Sequence, residues 1–282
     1  MDKYKVTNTI NLSEFSTKKV DENAVKKLKK LRKQLSKIQD TMYAEGKYAV
    51  LICIQGMDTS GKDSLIREVF KDVNAQGIEV TSFKVPSELE KKHDYLWRHY
   101  IALPERGKIG IFNRTHYENV LVTRVHPEYI VGENIPAATS VDVLDEAFFN
   151  NRMEEINNFE KHIADNGTII LKFFLNLSKE EQKNRLLRRL RLKEKNWKFS
   201  PGDLKERKLW DEYQFCYQDL LNKTSKECAP WFIIPADDKL TTRLKVAEII
   251  VETLDKYNFK EPELPQKYKI EIGNYKKQLE NE

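Results

Sequence analysis

Cysteines are few in this 282-residue sequence, and their positions exclude two kinds of site. Cys53, Cys216 and Cys228 lie far apart and form no C-x-x-C pair. Structural zinc sites and disulfide frameworks both need cysteines at characteristic spacings, so neither is expected. We interpret the three cysteines as reduced packing residues.

Long apolar runs are also missing. No stretch approaches the roughly 20 residues that a membrane span requires, and the N-terminal segment MDKYKVTNTI lacks the apolar stretch of a signal peptide. These absences predict a cytoplasmic protein with no membrane partner. A large excess of one charge is missing too, because 49 basic residues nearly balance 44 acidic ones and leave a net charge of +5. Only local clusters of charge can therefore indicate an anionic partner.

The composition that remains suits one large folded domain with appended elements. Hydrophobic residues make up 40% of the chain and charged residues 33%, which excludes a fibrous or disordered class. Apolar residues at spacings of three and four predict an amphipathic helix from Asp21 to Tyr43, docked on the core or on another subunit. Its basic residues leave a membrane or nucleic-acid contact open, but a solvated outer face is favoured.

Short apolar segments predict strands that alternate with helical stretches such as Glu88–Ile101 and Val141–Ala164. The predicted strands are Tyr48–Gln55, Ile78–Phe83, Lys108–Phe112, Thr168–Leu175 and Trp231–Ile234. This alternation predicts βαβ units, and hence an α/β fold with a doubly wound parallel sheet of about five strands flanked by helices.

Two segments depart from this alternation. From Leu177 to Arg207 basic residues crowd around few apolar positions, so this stretch cannot lie mostly in the core. Residues from about Phe259 onward form a polar tail that is loosely ordered or used for subunit contacts. The predicted organisation is an N-terminal extension at 1–45, a main domain at 46–258 with the basic stretch at about 178–207, and the tail at 259–282.

The segment Gly56-Met-Asp-Thr-Ser-Gly-Lys62 matches the pattern G-x-x-x-x-G-K, and it lies between a predicted buried strand and a predicted helix from Ser64 to Val73. Glycines let backbone N–H groups curl around phosphate oxygens, the helix N-terminus adds a positive dipole, and Lys62 adds a point charge. The pattern therefore predicts a P-loop that binds a polyanion.

Two carboxylates make this P-loop unusual. Asp63 follows the lysine, where a Ser or Thr hydroxyl normally holds magnesium, and Asp58 lies inside the loop. The two would repel each other and the phosphates unless a divalent cation bridges them, so we expect Mg²⁺ as a cofactor. The alternative for Asp63 is a carboxylate that caps the helix N-terminus.

Further motifs, taken together with the P-loop, resemble the family-2 polyphosphate kinases. They are Gly56-Met-Asp-Thr-Ser-Gly-Lys-Asp63, Phe83-Lys84-Val-Pro86, His93-Asp94-Tyr-Leu-Trp97-Arg98, Phe112-Asn-Arg-Thr-His-Tyr-Glu118, Lys195-Asn-Trp-Lys-Phe-Ser200, Trp210-Asp-Glu-Tyr213 and Ala229-Pro-Trp-Phe-Ile-Ile-Pro-Ala-Asp-Asp238. The resemblance spans about Tyr48 to Val251 in the family's order. It implies a thymidylate-kinase-like P-loop fold, magnesium dependence, reversible transfer between polyphosphate and nucleotides, and a homo-oligomer such as a dimer or tetramer.

The resemblance also implies roles for single residues. Asp58 and Lys62 match the acid and lysine of the family's P-loop, and Arg114 matches an arginine near the transferring phosphate. Asn113 stands where many members have Asp, so Glu118 is expected to supply the missing charge. This version of the motif resembles the subgroup that phosphorylates both nucleoside mono- and diphosphates. The implied catalytic residues are Asp58, Lys62, Arg114 and Glu118; the expected metal ligands are Asp58, Asp63 and Glu118; the expected phosphate or polyphosphate ligands are Gly56, Thr59, Ser60, Gly61, Lys62, Asp63, Lys84, Arg185, Arg189, Lys195 and Lys198.

The basic stretch matches the family's mobile lid. Its Arg191-Leu-Lys193 replaces a segment that is often acidic and ends in proline, so this lid is unusually cationic. Arginines spaced by four on one helix face suit a linear polyanion such as polyphosphate. The alternative interpretation is a solvated basic helix.

Arg98 and Arg124, with Arg114, are candidates for binding nucleotide phosphates, because a planar guanidinium pairs with phosphate oxygens in a bidentate way. Arg98 and Arg124 could equally be structural ion pairs. The expected substrates are inorganic polyphosphate with ADP or ATP, and AMP or GDP is left open. An ATP-dependent nucleotide or small-molecule kinase is the alternative, because a P-loop alone does not distinguish the donors. A nucleic-acid partner is not expected, since no recognition motif accompanies the basic segments.

Overall fold

The computed structural model describes residues 2–198 and 200–282, and of these it leaves the side chains of residues 2, 195, 197, 198 and 201 undescribed. One sheet is built from β1 (Ala49–Gln55), β2 (Ile78–Ser82), β3 (Ile109–Asn113), β4 (Thr168–Asn176) and β5 (Trp231–Pro235). The helices are α1 (Ala24–Glu45), α2 (Lys62–Val69), α3 (Trp97–Tyr100), α4 (Glu118–Val125), α5 (Glu128–Val131), α6 (Glu146–Asp165), α7 (Lys179–Arg191), α8 (Pro201–Lys208), α9 (Trp210–Thr224), α10 (Lys239–Leu254) and α11 (Gln266–Glu280).

All five strands run parallel in the order β2-β3-β1-β4-β5, which confirms the predicted α/β fold. In the register, Cys53 of β1 lies between Phe112 of β3 and Lys172 of β4. Every residue of β1 is buried, as expected for a central strand covered by helices on both faces. Because the strands are parallel, their carboxyl ends share one edge, and the loops that follow them meet there.

The predicted strands are all present, with ends shifted by at most one or two residues. The prediction of one helix over Glu88–Ile101 was wrong, since only α3 at its end is α-helical. Short polar side chains take backbone groups out of a helix here: Asp94 accepts the N–H of Leu96 at 2.9 Å, and the Ser87 hydroxyl accepts that of Glu90. Such local hydrogen bonds compete with the helical ladder.

The two ends of the chain pack differently. The N-terminal segment lies against the sheet edge, where the N–H of Val6 donates to the carbonyl of Trp231 at 2.9 Å. Helix α1 packs its buried Leu28, Leu35 and Met42 into the core beside α10. At the other end, the polar tail contains α11, a helix that the sequence analysis did not predict. None of the helices described for the chain is long and apolar enough to cross a membrane.

Candidate active site

The P-loop follows β1 and leads directly into α2 at the carboxyl edge of the sheet. Gly56 has φ 154°, and a Cβ there would lie 2.9 Å from Ser60 Oγ and 3.0 Å from the carbonyl oxygen of Leu175. Thr59 and Gly61 also have positive φ values of 65° and 106°. The loop therefore closes tightly in a shape that glycine permits, and α2 begins at its last residue, the lysine of the motif.

Lys62 folds back over this loop. Its Nζ donates to the carbonyl of Gly56 at 2.7 Å. Enclosure of the ammonium lowers the pKa of Lys62, while the nearby Asp58 and Glu118 carboxylates oppose that shift. A phosphate group bound in the loop would add negative charge beside Nζ and stabilise its charged form.

Arg185 of α7 holds the loop from behind with all five N–H donors in use. Nη1 donates to the carbonyl oxygens of Thr59 at 3.0 Å and Ser60 at 2.9 Å, and Nη2 donates to those of Ala236 at 2.7 Å and Asp237 at 3.0 Å. Nε donates to the carboxylate of Glu181 in the preceding helical turn. Occupied donors of this kind favour a positioning role for Arg185, and its role as a polyphosphate ligand stays a prediction.

The segment after β3 lies beside the P-loop. Asn113 Nδ2 donates to Asp63 Oδ1 at 3.0 Å and to Ser82 Oγ at 3.2 Å. The next residue, Arg114, has a left-handed φ of 59°, a strained conformation for a residue with a side chain. Glu118 then begins α4, where its Oε1 accepts from Gln55 Nε2 at 2.8 Å. Side-chain hydrogen bonds thus connect the segment from Asn113 to Glu118 to the P-loop and to β1.

A buried ionic cluster fixes this turn from below. Glu160 of α6 accepts hydrogen bonds from Lys172 Nζ at 2.5 Å and from Tyr117 Oη at 2.8 Å, and His116 Nε2 lies 3.0 Å from it. Although burial opposes ionisation, Lys172 and His116 hold the pKa of Glu160 below its ordinary value. Sequence analysis missed this cluster, because Lys172 sits inside an otherwise apolar strand and its partner comes from a separate helix.

A cavity of about 840 Å³ opens over the P-loop. Most of the predicted phosphate ligands line it, as do cations that sequence analysis had not assigned. The predicted lining residues are Asp58, Thr59, Ser60, Gly61, Lys62, Asp63, Lys84, Arg114, Arg185 and Arg189. The unassigned cations are Arg67, Arg188, Lys239 and Arg243, and the acid Asp203 lines the cavity as well. A cavity with so many cations suits a ligand that carries several negative charges along its length.

A second cavity of about 220 Å³ also has Lys62 in its lining. It contains Gly56 and Glu118, and its wall is partly apolar, with Leu121, Val122, Tyr129, Tyr213 and Tyr217 among its lining residues. Asp58, Lys62, Arg114 and Asp203 line both cavities. The two spaces therefore adjoin at the P-loop, so that two anionic ligands, one in each cavity, could both reach the same lysine and arginine.

The lid crosses this meeting point. Arg189 Nη1 of α7 lies 3.2 Å from Asp203 Oδ2 and 3.6 Å from Asp58 Oδ2. Partial burial and the charge of Asp58 raise the pKa of Asp203. Asp203 also belongs to the capping box at the start of α8, with Ser200 as N-cap. The predicted ligands Lys195 and Lys198 belong to the same region, but their side chains lie outside the described part of the structure.

The predicted metal ligands do not form a ready-made cage. In residues 2–198 and 200–282, no group of three His, Cys, Asp or Glu side chains is arranged to hold a metal ion. Asp58 and Asp63 line the larger cavity, whereas Glu118 lines the smaller one. In the described part of the chain, the buried oxygens Asp58 Oδ2, Thr59 Oγ1 and Ser60 Oγ have no hydrogen-bond partner. This donor set fits Mg²⁺, which commonly takes one or two carboxylates and completes its shell with substrate phosphates and water.

The structure places the two other candidate arginines away from both cavities. Arg98 Nε lies 3.3 Å from Glu90 Oε1, with its guanidinium over the Phe83 ring. Arg124 Nη1 lies 2.6 Å from Asp219 Oδ2. Neither arginine is among the described residues that line the two cavities, and each makes an ion pair of the kind that the alternative describes; nucleotide binding by Arg98 and Arg124 stays a prediction.

Comparisons with known proteins agree on one family. The family model described as polyphosphate kinase 2 matches residues 18–262. The ADP-polyphosphate phosphotransferase of Rhodopseudomonas palustris is 45% identical over 246 residues, which cover 87% of this chain and 84% of the relative. The AMP/ADP-polyphosphate phosphotransferase of Meiothermus ruber is 44% identical, over 82% of this chain and 81% of the relative. The crystal structure of polyphosphate kinase 2 from Arthrobacter aurescens superposes with a TM-score of 0.85 at 33% identity, covering 93% of this chain and 91% of the other.

Proposed function

Because the chain belongs to the polyphosphate kinase 2 family and is a phosphotransferase, we propose that it moves a phosphoryl group reversibly between inorganic polyphosphate and ADP, with AMP as a further acceptor. The observation that carries this proposal is the pair of cavities that meet at Lys62 and Arg114. A phosphate donor in one cavity and a phosphate acceptor in the other can both reach the same P-loop in this arrangement. Phosphoryl transfer depends mostly on such positioning and on neutralisation of charge.

The larger cavity is assigned to polyphosphate. Its cations come from the P-loop, from α2, from the lid and from α10, so they extend well beyond the loop itself. Arg67, Lys239 and Arg243 lie on the α2 and α10 side, and Arg188 and Arg189 lie on the lid. A row of cations of this extent suits phosphates that follow one another along a chain.

The smaller cavity is assigned to the nucleotide. Its tyrosines and aliphatic residues offer a surface on which a base can stack, while Lys62 and Arg114 face the phosphate end. Base contacts of this apolar kind discriminate weakly, so GDP is included among the acceptors to be tested.

We propose Mg²⁺ as the metal, held by Asp58 with Asp63 or Glu118 close by. When bound, the ion would neutralise charge on the phosphates. The chain's own contribution is to hold these carboxylates in place: Asn113 fixes Asp63, and Gln55 fixes Glu118. The homo-oligomer implied by the sequence is also proposed, and measurement of the mass in solution tests it.

Incubation of the purified protein with Mg²⁺, long-chain polyphosphate and AMP, ADP or GDP tests the donor and acceptor assignments together. We expect ATP from ADP and ADP from AMP, resolved by chromatography. Replacing polyphosphate by ATP with a panel of small-molecule acceptors tests the alternative kinase. Turnover with ATP as donor and none with polyphosphate would overturn the assignment.

The P-loop assignment is tested by Lys62→Ala, which should abolish turnover because Nζ is the P-loop cation shared by both cavities. Lys33→Ala is the matched control, since Lys33 is an exposed lysine of α1 far along the chain from the loop. Near-normal ATP formation by the Lys62 variant would remove the P-loop from the mechanism.

A further inference from the structure

None of the described residues of the chain covers helix α11. Every residue from 260 to 282 is exposed, and the family match ends at residue 262, so the helix lies outside the shared domain. A helix of 15 residues is near the limit of about 12–15 below which isolated helices are marginal in water. Gly273 in its interior weakens it further. A stable α11 therefore needs a surface to pack against.

Four of the exposed apolar residues of α11 form one stripe. Tyr268, Ile272, Tyr275 and Leu279 are 41%, 58%, 47% and 71% exposed and follow one another at spacings of four, three and four. This is the a/d spacing of a heptad repeat, in which apolar positions of two helices interlock along a seam. The stripe thus matches the surface of another helix better than it matches a flat or polar surface.

The charges beside the stripe specify the partner. With Ile272 and Leu279 at a positions, Glu271 occupies g and Lys276 the following e position. In a parallel pair of identical helices, each Glu271 faces Lys276 of the partner subunit, which gives two attractive contacts. An antiparallel pair would instead bring the e-position lysines Lys269 and Lys276 together. In the described part of the chain, Glu271 accepts a hydrogen bond from the exposed Tyr275 hydroxyl, a contact that pairing can exchange.

We propose that α11 is a self-association surface, on which two copies of this chain pair in parallel through the Tyr268, Ile272, Tyr275 and Leu279 stripe. The pairing does not depend on the phosphotransferase assignment, and its test needs no measurement of activity. It would link the C-termini of two P-loop domains through the segment at 255–265.

Cysteine cross-linking of the full chain tests the geometry. In a Cys228→Ser background, which removes the exposed native thiol, Tyr275→Cys places a thiol at a d position. Parallel pairing in register brings the two thiols within disulfide distance, so mild oxidation should give a linked dimer. Ile270→Cys is the matched control, because Ile270 is 73% exposed but lies outside the stripe. Equal linkage at both positions would show random collision and overturn the proposal.

Charge reversal tests the identity of the partner. In the Tyr275→Cys background, Glu271→Lys or Lys276→Glu alone should weaken self-linkage roughly tenfold, because two attractive exposed pairs become repulsive. The double reversal should restore it, and mixing the two single variants should give a linked heterodimer. Linkage that is indifferent to these changes, or that the double reversal does not restore, would mean that α11 does not pair with its own copy in this register.

Discussion

Nη1 of Arg185 lies 2.9 Å from the carbonyl oxygen of Ser60, and this contact joins the lid helix to the P-loop. A peptide carbonyl and the N–H that follows it point in opposite directions, so holding the Ser60 carbonyl also fixes the direction of the Gly61 N–H. Gly61 is the N-cap residue of α2 and lines the larger cavity. The arginine thus acts on phosphate binding through the backbone of the loop.

Arg185→Ala should lower kcat with polyphosphate and ADP by about 10²-fold, the cost expected when catalytic groups shift by about 1 Å. Both substrates should be affected, because the loop lies between their cavities. Steady-state kinetics with each substrate varied in turn measure the effect. Arg191→Ala, an exposed arginine at the end of the same helix, is the control. A rise in KM for polyphosphate alone, with kcat retained, would indicate that Arg185 binds polyphosphate directly.

The contacts of Arg185 with the P-loop could not be predicted from the sequence. Arg185 and Arg189 have the same spacing and charge in the sequence, so both were predicted as polyphosphate ligands. Only the fold brings the Thr59 and Ser60 carbonyls to one of them, across about 125 positions of sequence. Partners of this kind leave no local pattern.

The strands and the P-loop were predictable because buried parallel strands need continuous apolar runs and the loop needs glycines at fixed positions. Lys239 and Arg243 were not, because their approach to the P-loop follows from the strand order, which places β5 beside β4 at the same edge. Similarly, α11 was read as a polar tail because its stripe is interrupted by lysines and a glycine.

Arg189→Ala should weaken the binding of long-chain polyphosphate more than the binding of ADP. Its guanidinium lies over Asp58 and Asp203 at the roof of the larger cavity, where it can meet phosphate oxygens. We expect a rise of roughly tenfold in KM for polyphosphate, as for loss of one charge-assisted hydrogen bond. The KM for ADP, measured for the variant and for the parent, shows whether nucleotide binding changes. An equal loss for both substrates would contradict a role specific to polyphosphate.

The cations of α10 should contribute to the binding of long polyphosphate chains but not of short ones. Lys239→Ala and Arg243→Ala remove charges that α10, rather than the P-loop itself, contributes to the cavity. KM for long polyphosphate should rise several-fold while KM for tripolyphosphate stays close to that of the parent, because a short chain occupies the loop alone. Lys256→Ala, an exposed lysine just after the same helix, is the control. Equal losses for short and long chains would place these residues at the reacting end.

Asp58→Asn should raise the Mg²⁺ concentration needed for half-maximal rate. The Asp58 carboxylate lines both cavities, and its buried Oδ2 has no hydrogen-bond partner in the described part of the chain. The amide keeps the shape of the side chain but removes the charge that attracts the metal. Activity measured across a Mg²⁺ series shows the shift, and Asp40→Asn on the exposed face of α1 should show none. Loss of activity that no Mg²⁺ concentration restores would indicate a role other than metal binding.

Removing one charge of the buried pair Lys172 and Glu160 should lower the free energy of unfolding more than removing both charges. Lys172→Met leaves the Glu160 carboxylate buried without its cation, and such changes cost about 3–5 kcal/mol of the free energy of unfolding. The double variant Lys172→Met with Glu160→Leu removes both charges and should regain most of that loss, because apolar replacements of buried pairs are often neutral or stabilising. Urea denaturation of both variants gives the free energies.

Because the double variant should be stable, its activity shows how the pair affects the active site apart from its effect on folding. Without Glu160, Tyr117 and His116 lose the acceptor that fixes the turn after Arg114, whose left-handed conformation needs support from its surroundings. The double variant should therefore fold with near-parent stability and yet lose kcat by at least about tenfold, since small misplacement of a charged group is costly in phosphoryl transfer. Parent-like kcat in a stable double variant would mean that the cluster serves folding alone and that the turn is held by Gln55 and Thr115.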